Sequence, residues 1–470
     1  MVPFQRNLPK RLERWLTAGL ALGAVSLLVV LFYLPVGLVI SEALGPEGRR
    51  SLDAFETVLT DPFYVGVLAE VFANPLAFSQ HIGSLREWAS VGFPVPGFGL
   101  FGFTAYQALL STVASVLIGL PGAYVLSRFE FRGRRTLRSL TILPFVLPSI
   151  MVAVGFFAMF SAGGPPNRAL GAIGLGPVSL LFTLEAIVLA HAFYNAPLVA
   201  RIVAAAWESV DGGTIETARS LGASRRRAHL DVVAPQLLPA TLVGAVLAFI
   251  FTFMSFPIVL ALGGLELATV EVWVYDRVRN LAYTEAAALA TLESLLSIAL
   301  LYFYLRYEAR VASASAGRPL PREPLLDGWR SLLRPSRLAL AAYGTVVLVL
   351  FVGPIASLLL ESLTNSSGFT LQHYAFLLER QASAASYQTQ PLPAIRNSLV
   401  FAAGTLVLAL GLGLGVAALS TGSLPGRTLL SAVAMLPLAV SGVVLGIGLL
   451  RGLVFGISLP LGYRFELTGP

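Results

Sequence analysis

Trp15 to Ile40 reads WLTAGLALGAVSLLVVLFYLPVGLVI, without one charged side chain. A helix crosses the hydrocarbon of a bilayer with about 20 such residues. A cleaved signal peptide has a shorter apolar core, roughly 7–15 residues. The run is therefore expected to be a retained membrane-spanning helix. In hydrocarbon each backbone N–H and C=O must be satisfied within its own segment, so the run is helical rather than an open strand. Further runs of spanning length follow at 104–127, 139–160, 180–205, 237–262, 284–306, 338–360, 397–420 and 431–450. The expected fold is an all-α polytopic transmembrane helix bundle of about nine helices.

Composition agrees with lipid as the solvent. Hydrophobic residues make up 56% of the 470 and charged residues 12%, whereas a soluble domain carries roughly 25% charge. There is no cysteine, which excludes disulfides and thiolate chemistry. The net charge of +7 raises the question of nucleic acid, but its distribution answers it. Of the 32 Lys and Arg residues, 22 fall in segments 1–14, 128–138, 201–236, 306–337 and 421–430, and 10 in the alternating ones. Basic residues accumulate on the cytoplasmic side of a membrane. The charge thus reads as topology, with a cytoplasmic N-terminus at the cell (plasma or inner) membrane and no nucleic-acid partner. Segment 42–103 is then external, with short helices expected at the outer surface.

The chain repeats itself. Ser127, Gly133, Arg134, Pro144 and Gly155 recur ungapped as Ser420, Gly426, Arg427, Pro437 and Gly448, an offset of 293. Pro35 and Leu52 match Pro354 and Leu371 at an offset of 319. The expected organisation is a cytoplasmic N-terminus (1–14), a first copy of six helices (15–308), a linker (309–335) and a partial second copy (336–470). The second copy matches only the first three helices of the first, so the sequence is expected to be part of a longer protein. Parallel copies imply a pseudo-two-fold axis along the membrane normal, with a solute path between the halves.

The most informative loop is Trp207 to Pro239, WESVDGGTIETARSLGASRRRAHLDVVAPQLLP. Thr214–Leu221 is expected to be a short helix ended by Gly222, since glycine tolerates the left-handed conformation just past a helix end. Ser224 is placed to cap a second helix, Arg225–Val233, and Pro235 to stop it. Glu216, Thr217 and Ala218, then Gly222 and Ala223, then Val232, Ala234 and Pro235 resemble the "EAA" loop of binding-protein-dependent ATP-binding-cassette import permeases. That pattern is Glu-Ala-Ala, three residues, Gly, nine residues, Ile, one residue, Leu-Pro. The spacing fits throughout, with Thr217, Val232 and Ala234 as departures. The resemblance implies that the loop (207–236) docks on a separate ATPase subunit, present as a dimer, and that an external solute-binding protein delivers the cargo. The two-copy layout, LAHAFYNAPLVARIV, SFPIVLALGG and TVEVWVYDRV are most similar to thiamine permeases, and the layout also to ferric-iron permeases.

A phosphate-binding loop needs GxxxxGK followed by Ser or Thr. The single lysine, Lys10, is followed by Arg11, so ATP hydrolysis is expected on the partner. No catalytic, cofactor or metal site is expected. Within the membrane, His191, Asn195 and Glu293 are polar, and such groups face a bundle interior. His191 and Asn195 either line a solute path or lock helices together. Ser255, Phe256 and Pro257 are placed to break the fifth helix, either beside the same path or as simple packing. The competing class is an ion-coupled secondary transporter, which would share the repeats and buried polar residues but has no need of the Glu216–Pro235 loop.

Overall fold

The computed structural model describes residues 10–45, 50–73, 76, 83, 98–311, 321–325, 335–365, 367–383, 390–421, 433–458 and 464–465. Among these, eight helices are long and apolar enough to cross a membrane. A bent pair, Val433–Ala439 and Gly442–Gly452, makes a ninth if its 104° turn lies within one span. The helices used below are α1 (Gly19–Ala43), α2 (Gly99–Arg128), α3 (Ser149–Phe160), α4 (Leu184–Glu208), α5 (Gly212–Ser220), α6 (Arg225–Phe253), α7 (Val270–Arg279), α8 (Tyr283–Val311), α9 (Pro335–Leu363), α10 (Pro391–Thr421) and α11 (Gly442–Leu449). The all-α polytopic expectation is met. Extended structure among the described residues amounts to three pairings of two-residue strands.

Prolines explain where the helices depart from expectation. The stretch 139–160 is not continuous but runs as Arg134–Leu140, Leu143–Val146 and α3. Leu147, ahead of Pro148, is extended at ψ 133°, the conformation that a following proline ring imposes. Pro235, by contrast, does not stop its helix. His229–Val233 form a π turn, in which Ala234 N–H bonds to the carbonyl of His229. The wider turn makes room for a ring that would otherwise strike the carbonyl four residues back. The helix therefore continues to Phe253, where it breaks at Met254–Phe256 and restarts as Pro257–Gly263.

The chain forms two compact units, one of residues 1–51 with 362–470 and one of 52–361. In the second unit α2 packs along α4, and α6 lies against both. Val152, Phe156, Phe193, Ile258, Leu262 and Leu350 form its buried apolar centre. Phe351 of α9 stacks on Phe193 with ring centroids 5.3 Å apart. At one end Phe63 and Tyr64, in the short helix Pro62–Val65, clamp onto α7 and α8. Tyr64 donates to Glu285, and Trp273 Nε1 donates to the Tyr64 hydroxyl at 3.4 Å. Burial, then the Glu285 carboxylate, pushes the Tyr64 phenol up to about 12.

The compact units cut across the two sequence copies, because α9 sits in the unit of the first copy and α1 in that of the second. In the larger unit the Tyr343 hydroxyl lies 2.8 Å from where a Cβ on Gly122 would be, and the Pro354 carbonyl 2.9 Å from a Cβ on Gly155. In the smaller unit Gly415 meets Ala24, and Gly448 meets the carbonyl of Pro35. Gly122 and Gly415 are related by the offset of 293, as are Gly155 and Gly448. Ala24 and Tyr343 are related by the offset of 319, as are Pro35 and Pro354. Each glycine removes the side chain that would hold two helices apart. Of the repeat identities, Gly426 and Arg427 lie outside the described residues, as does most of the 309–335 linker.

Candidate functional site

The loop after α4 is a capped helix pair. Asp211 opens α5 by accepting from Gly213 N–H at 3.1 Å, so the helix starts two residues before the expected Thr214. Its C-terminal end closes with two crossed bonds, Ala223 N to Ala218 O and Gly222 N to Arg219 O, both 3.0 Å. Gly222 adopts φ +92°, the left-handed residue on which this closure depends. Ser224 caps the next helix by accepting from Arg227 N–H at 3.2 Å. Gly222 and Ser224 act where the sequence placed them, whereas the opening cap, Asp211, had not been singled out.

These residues divide by direction. Ile215 is buried among Val203, Val210, Ala228 and Val233, with Ala218, Ala223 and Val232 packed against the same core. Glu216 and Thr217 are exposed, as are Arg225, Arg226 and Arg227. Pro235 follows the π turn at the start of the membrane-crossing part of α6. The loop is anchored by its small apolar residues and presents charge outward.

Inside the bundle, the expected path residues join a network that the sequence reading only partly named. His191 Nδ1 lies 3.2 Å from Ser111 Oγ on α2. Asn195 Nδ2 donates to Thr252 Oγ1 of α6 at 3.2 Å and to His191 O at 3.1 Å. Gln107 Nε2 donates to Thr252 O at 3.2 Å. That carbonyl sits where α6 frays, and Ser255 N also bonds to it. Gln107 therefore supplies a partner to backbone that a broken helix exposes, as burial at membrane depth requires. Ser255 and Phe256 lie in the break itself and Pro257 opens the next helix, with Phe256 packed on the Tyr275 ring at 4.9 Å. Thr252 links this break to His191 and Asn195.

Gln107, Ser111 and Thr252 were not anticipated. Their signal was available: Thr104, Gln107, Ser111 and Ser115 recur at helical spacing within one apolar run and are all fully buried. Glu293 lies mid-way along α8, fully buried against Glu271 of α7, a second carboxyl that the sequence reading passed over. Among the described residues no cluster of three or more His, Cys, Asp or Glu could hold a metal ion.

Residues 112–312, which carry the loop and the His191, Asn195 and Thr252 part of this network, match the model of the binding-protein-dependent transport system inner membrane component family. The molybdenum transport system permease protein ModB of Azotobacter vinelandii is 32% identical over 214 residues, covering 44% of this chain and 93% of ModB. The sulfate transport system permease protein CysT of Escherichia coli is 28% identical over 217 residues, 46% of this chain and 77% of CysT. PhnU of Salmonella typhimurium, named for 2-aminoethylphosphonate transport, is 26% identical over 295 residues, 62% of this chain and 90% of PhnU. The chain belongs to this family of inner-membrane permeases, the multi-pass transport subunits of ATP-binding-cassette importers for small solutes. It is not an enzyme.

Proposed function

We propose that this permease moves a small oxyanion or phosphonate inward, delivered by an external binding protein and driven by an ATPase dimer docked on residues 207–236. The observation that carries the reading is the capped helix pair with Gly222 at its turn. It is rigid, anchored by Ala218 and Ala223, and exposes Glu216 and Thr217 to a partner. A chain that binds no nucleotide needs such a lever, and an ion-coupled carrier does not. Glu216, Thr217, Ala218, Gly222, Ala223, Val232 and Pro235 are the coupling residues on this reading. Glu216 and Thr217 face the ATPase, and the others hold the turn in place. The Lys and Arg content of segments 1–14 and 201–236 supports a cytoplasmic side for both.

The names of the molybdenum, sulfate and phosphonate relatives support an oxyanion. Thiamine and ferric iron, favoured by the sequence motifs, are the competing cargoes. The two copies at offsets 293 and 319 form the two halves of the permease, with His191, Asn195 and Ser255–Pro257 near the path between them.

Uptake of labelled molybdate, sulfate, 2-aminoethylphosphonate, thiamine and ferric iron by cells with and without the gene decides the cargo. Gene-dependent uptake of one oxyanion that survives an ionophore is the expected result. Gene-dependent uptake of thiamine or iron would replace the cargo, and collapse of uptake with the ion gradient would replace the class. Glu216→Ala is expected to reduce uptake to background while the chain still inserts. Normal uptake in that variant would remove the docking role.

A further inference from the structure

Pro321–Leu325, from the linker between the two sequence copies, is fastened on every side. Glu323 and Pro324 form a strand, β2, parallel to Phe129–Glu130 (β1) at the end of α2. Leu325 N–H donates to Glu130 O at 3.1 Å, and Arg128 Nη1 donates to Pro321 O at 3.3 Å. Arg322 reaches Glu208 at the end of α4 (3.2 Å) and Glu130 (3.8 Å). Glu208 is itself fixed by Arg134 at 2.8 Å and Arg138 at 3.0 Å. The Arg134 side chain is buried and also donates to Leu126 O at 2.8 Å. Glu323 pairs with Arg225, the first residue of α6 and part of the loop's second helix. On the other side, Arg337 near the start of α9 donates to Pro324 O at 3.2 Å, with its guanidinium 4.5 Å from the Phe129 ring centroid.

A flexible tether between two halves would run solvated and touch little. These five residues instead bind the ends of α2 and α4, the start of α6 and the start of α9. Exposed ion pairs such as Arg225–Glu323 contribute little stability by themselves. The position of this one matters more, because it joins the loop to a segment that also holds α9. We propose that Pro321–Leu325 is a strap that makes α9, the first helix of the second copy, follow the movement of the first copy's loop. Glu323 is the positioning residue that clasps Arg225. The inference rests on the reading of 207–236 as the ATPase-docking loop.

The chain has no cysteine, so introduced ones label without background. Leu221→Cys on the loop and Leu338→Cys on α9 are exposed positions for nitroxides. The full chain in lipid nanodiscs, with its copurified ATPase, is measured by pulsed dipolar spectroscopy with and without MgATP and vanadate. With the strap intact, the label distance is expected to stay a single narrow peak in both states while each label moves relative to a third on α4. Glu323→Ala and Arg225→Ala are each expected to broaden that peak, and the exchange R225E with E323R to narrow it again. The exchange separates a clasp from mere misfolding. If Glu323→Ala leaves the peak narrow while nucleotide still moves the labels, the strap is overturned and the docking loop stands. If nucleotide moves neither label, the docking reading falls and the strap's role as a transmitter falls with it.

Discussion

Two glycines show how one residue type does two different jobs. Gly222 sits in open space but at φ +92°, where a Cβ strains the backbone. Gly155 has an ordinary backbone but no room, with the Pro354 carbonyl 2.9 Å from where a Cβ would stand. Gly222→Ala is therefore expected to cost about 1 kcal/mol locally. It should speed hydrogen exchange at the Ala223 amide and leave the melting temperature of the bundle nearly unchanged. Gly155→Leu should cost about 1–3 kcal/mol by forcing α3 and α9 apart, lowering the melting temperature in detergent without altering exchange in the loop. If both variants gave the same pattern, the distinction between strain and crowding would be lost. Gly222 was legible in the sequence because its place is set by neighbours one turn away. The partner of Gly155 lies in the other copy, and an ungapped repeat says that a glycine recurs without saying what it touches.

Among the helices, α6 shows what local rules miss. Proline at position 235 reads as a stop, yet a π turn absorbs it, and periodicity carries no mark for one extra residue in a turn. The break at Met254–Phe256 was legible from Ser255 and Pro257, whereas its support was not. Gln107 comes from a helix 145 residues earlier to bond the Thr252 carbonyl. The spans themselves were readable because lipid demands long apolar runs, and their ends less so because capping is local and variable. The bond from Asn195 to Thr252 Oγ1 (3.2 Å) joins α4 to α6. Hydrogen bonds between membrane helices contribute about 0.6 kcal/mol on average. A cycle of Asn195→Leu, Thr252→Val and the double variant should show a coupling near that size, measured by unfolding in mixed detergent. Full additivity would mean that the two side chains act independently.

At the scale of the whole chain, each compact unit is completed by a helix from the other sequence copy. The polypeptide link between the copies should then be dispensable for assembly. Coexpressed fragments 1–326 and 327–470 are expected to copurify through a tag on either one, because α9 remains held by Gly122, Gly155 and Phe193, and α1 by Gly415 and Gly448. Fragments that separate in mild detergent would contradict this. The same exchange sets a timetable for biosynthesis. Pro354 follows Gly155 by 199 residues, and Gly448 follows Pro35 by 413. A ribosome adding about 5–20 residues per second delivers these partners roughly 10–40 s and 20–80 s late. Through that interval the newly inserted helices stand in the bilayer with their close-packing faces against lipid or the insertion machinery. The first half cannot mature as it emerges and must wait for its final helix from the second, which makes the nascent chain a natural client for membrane-resident chaperones.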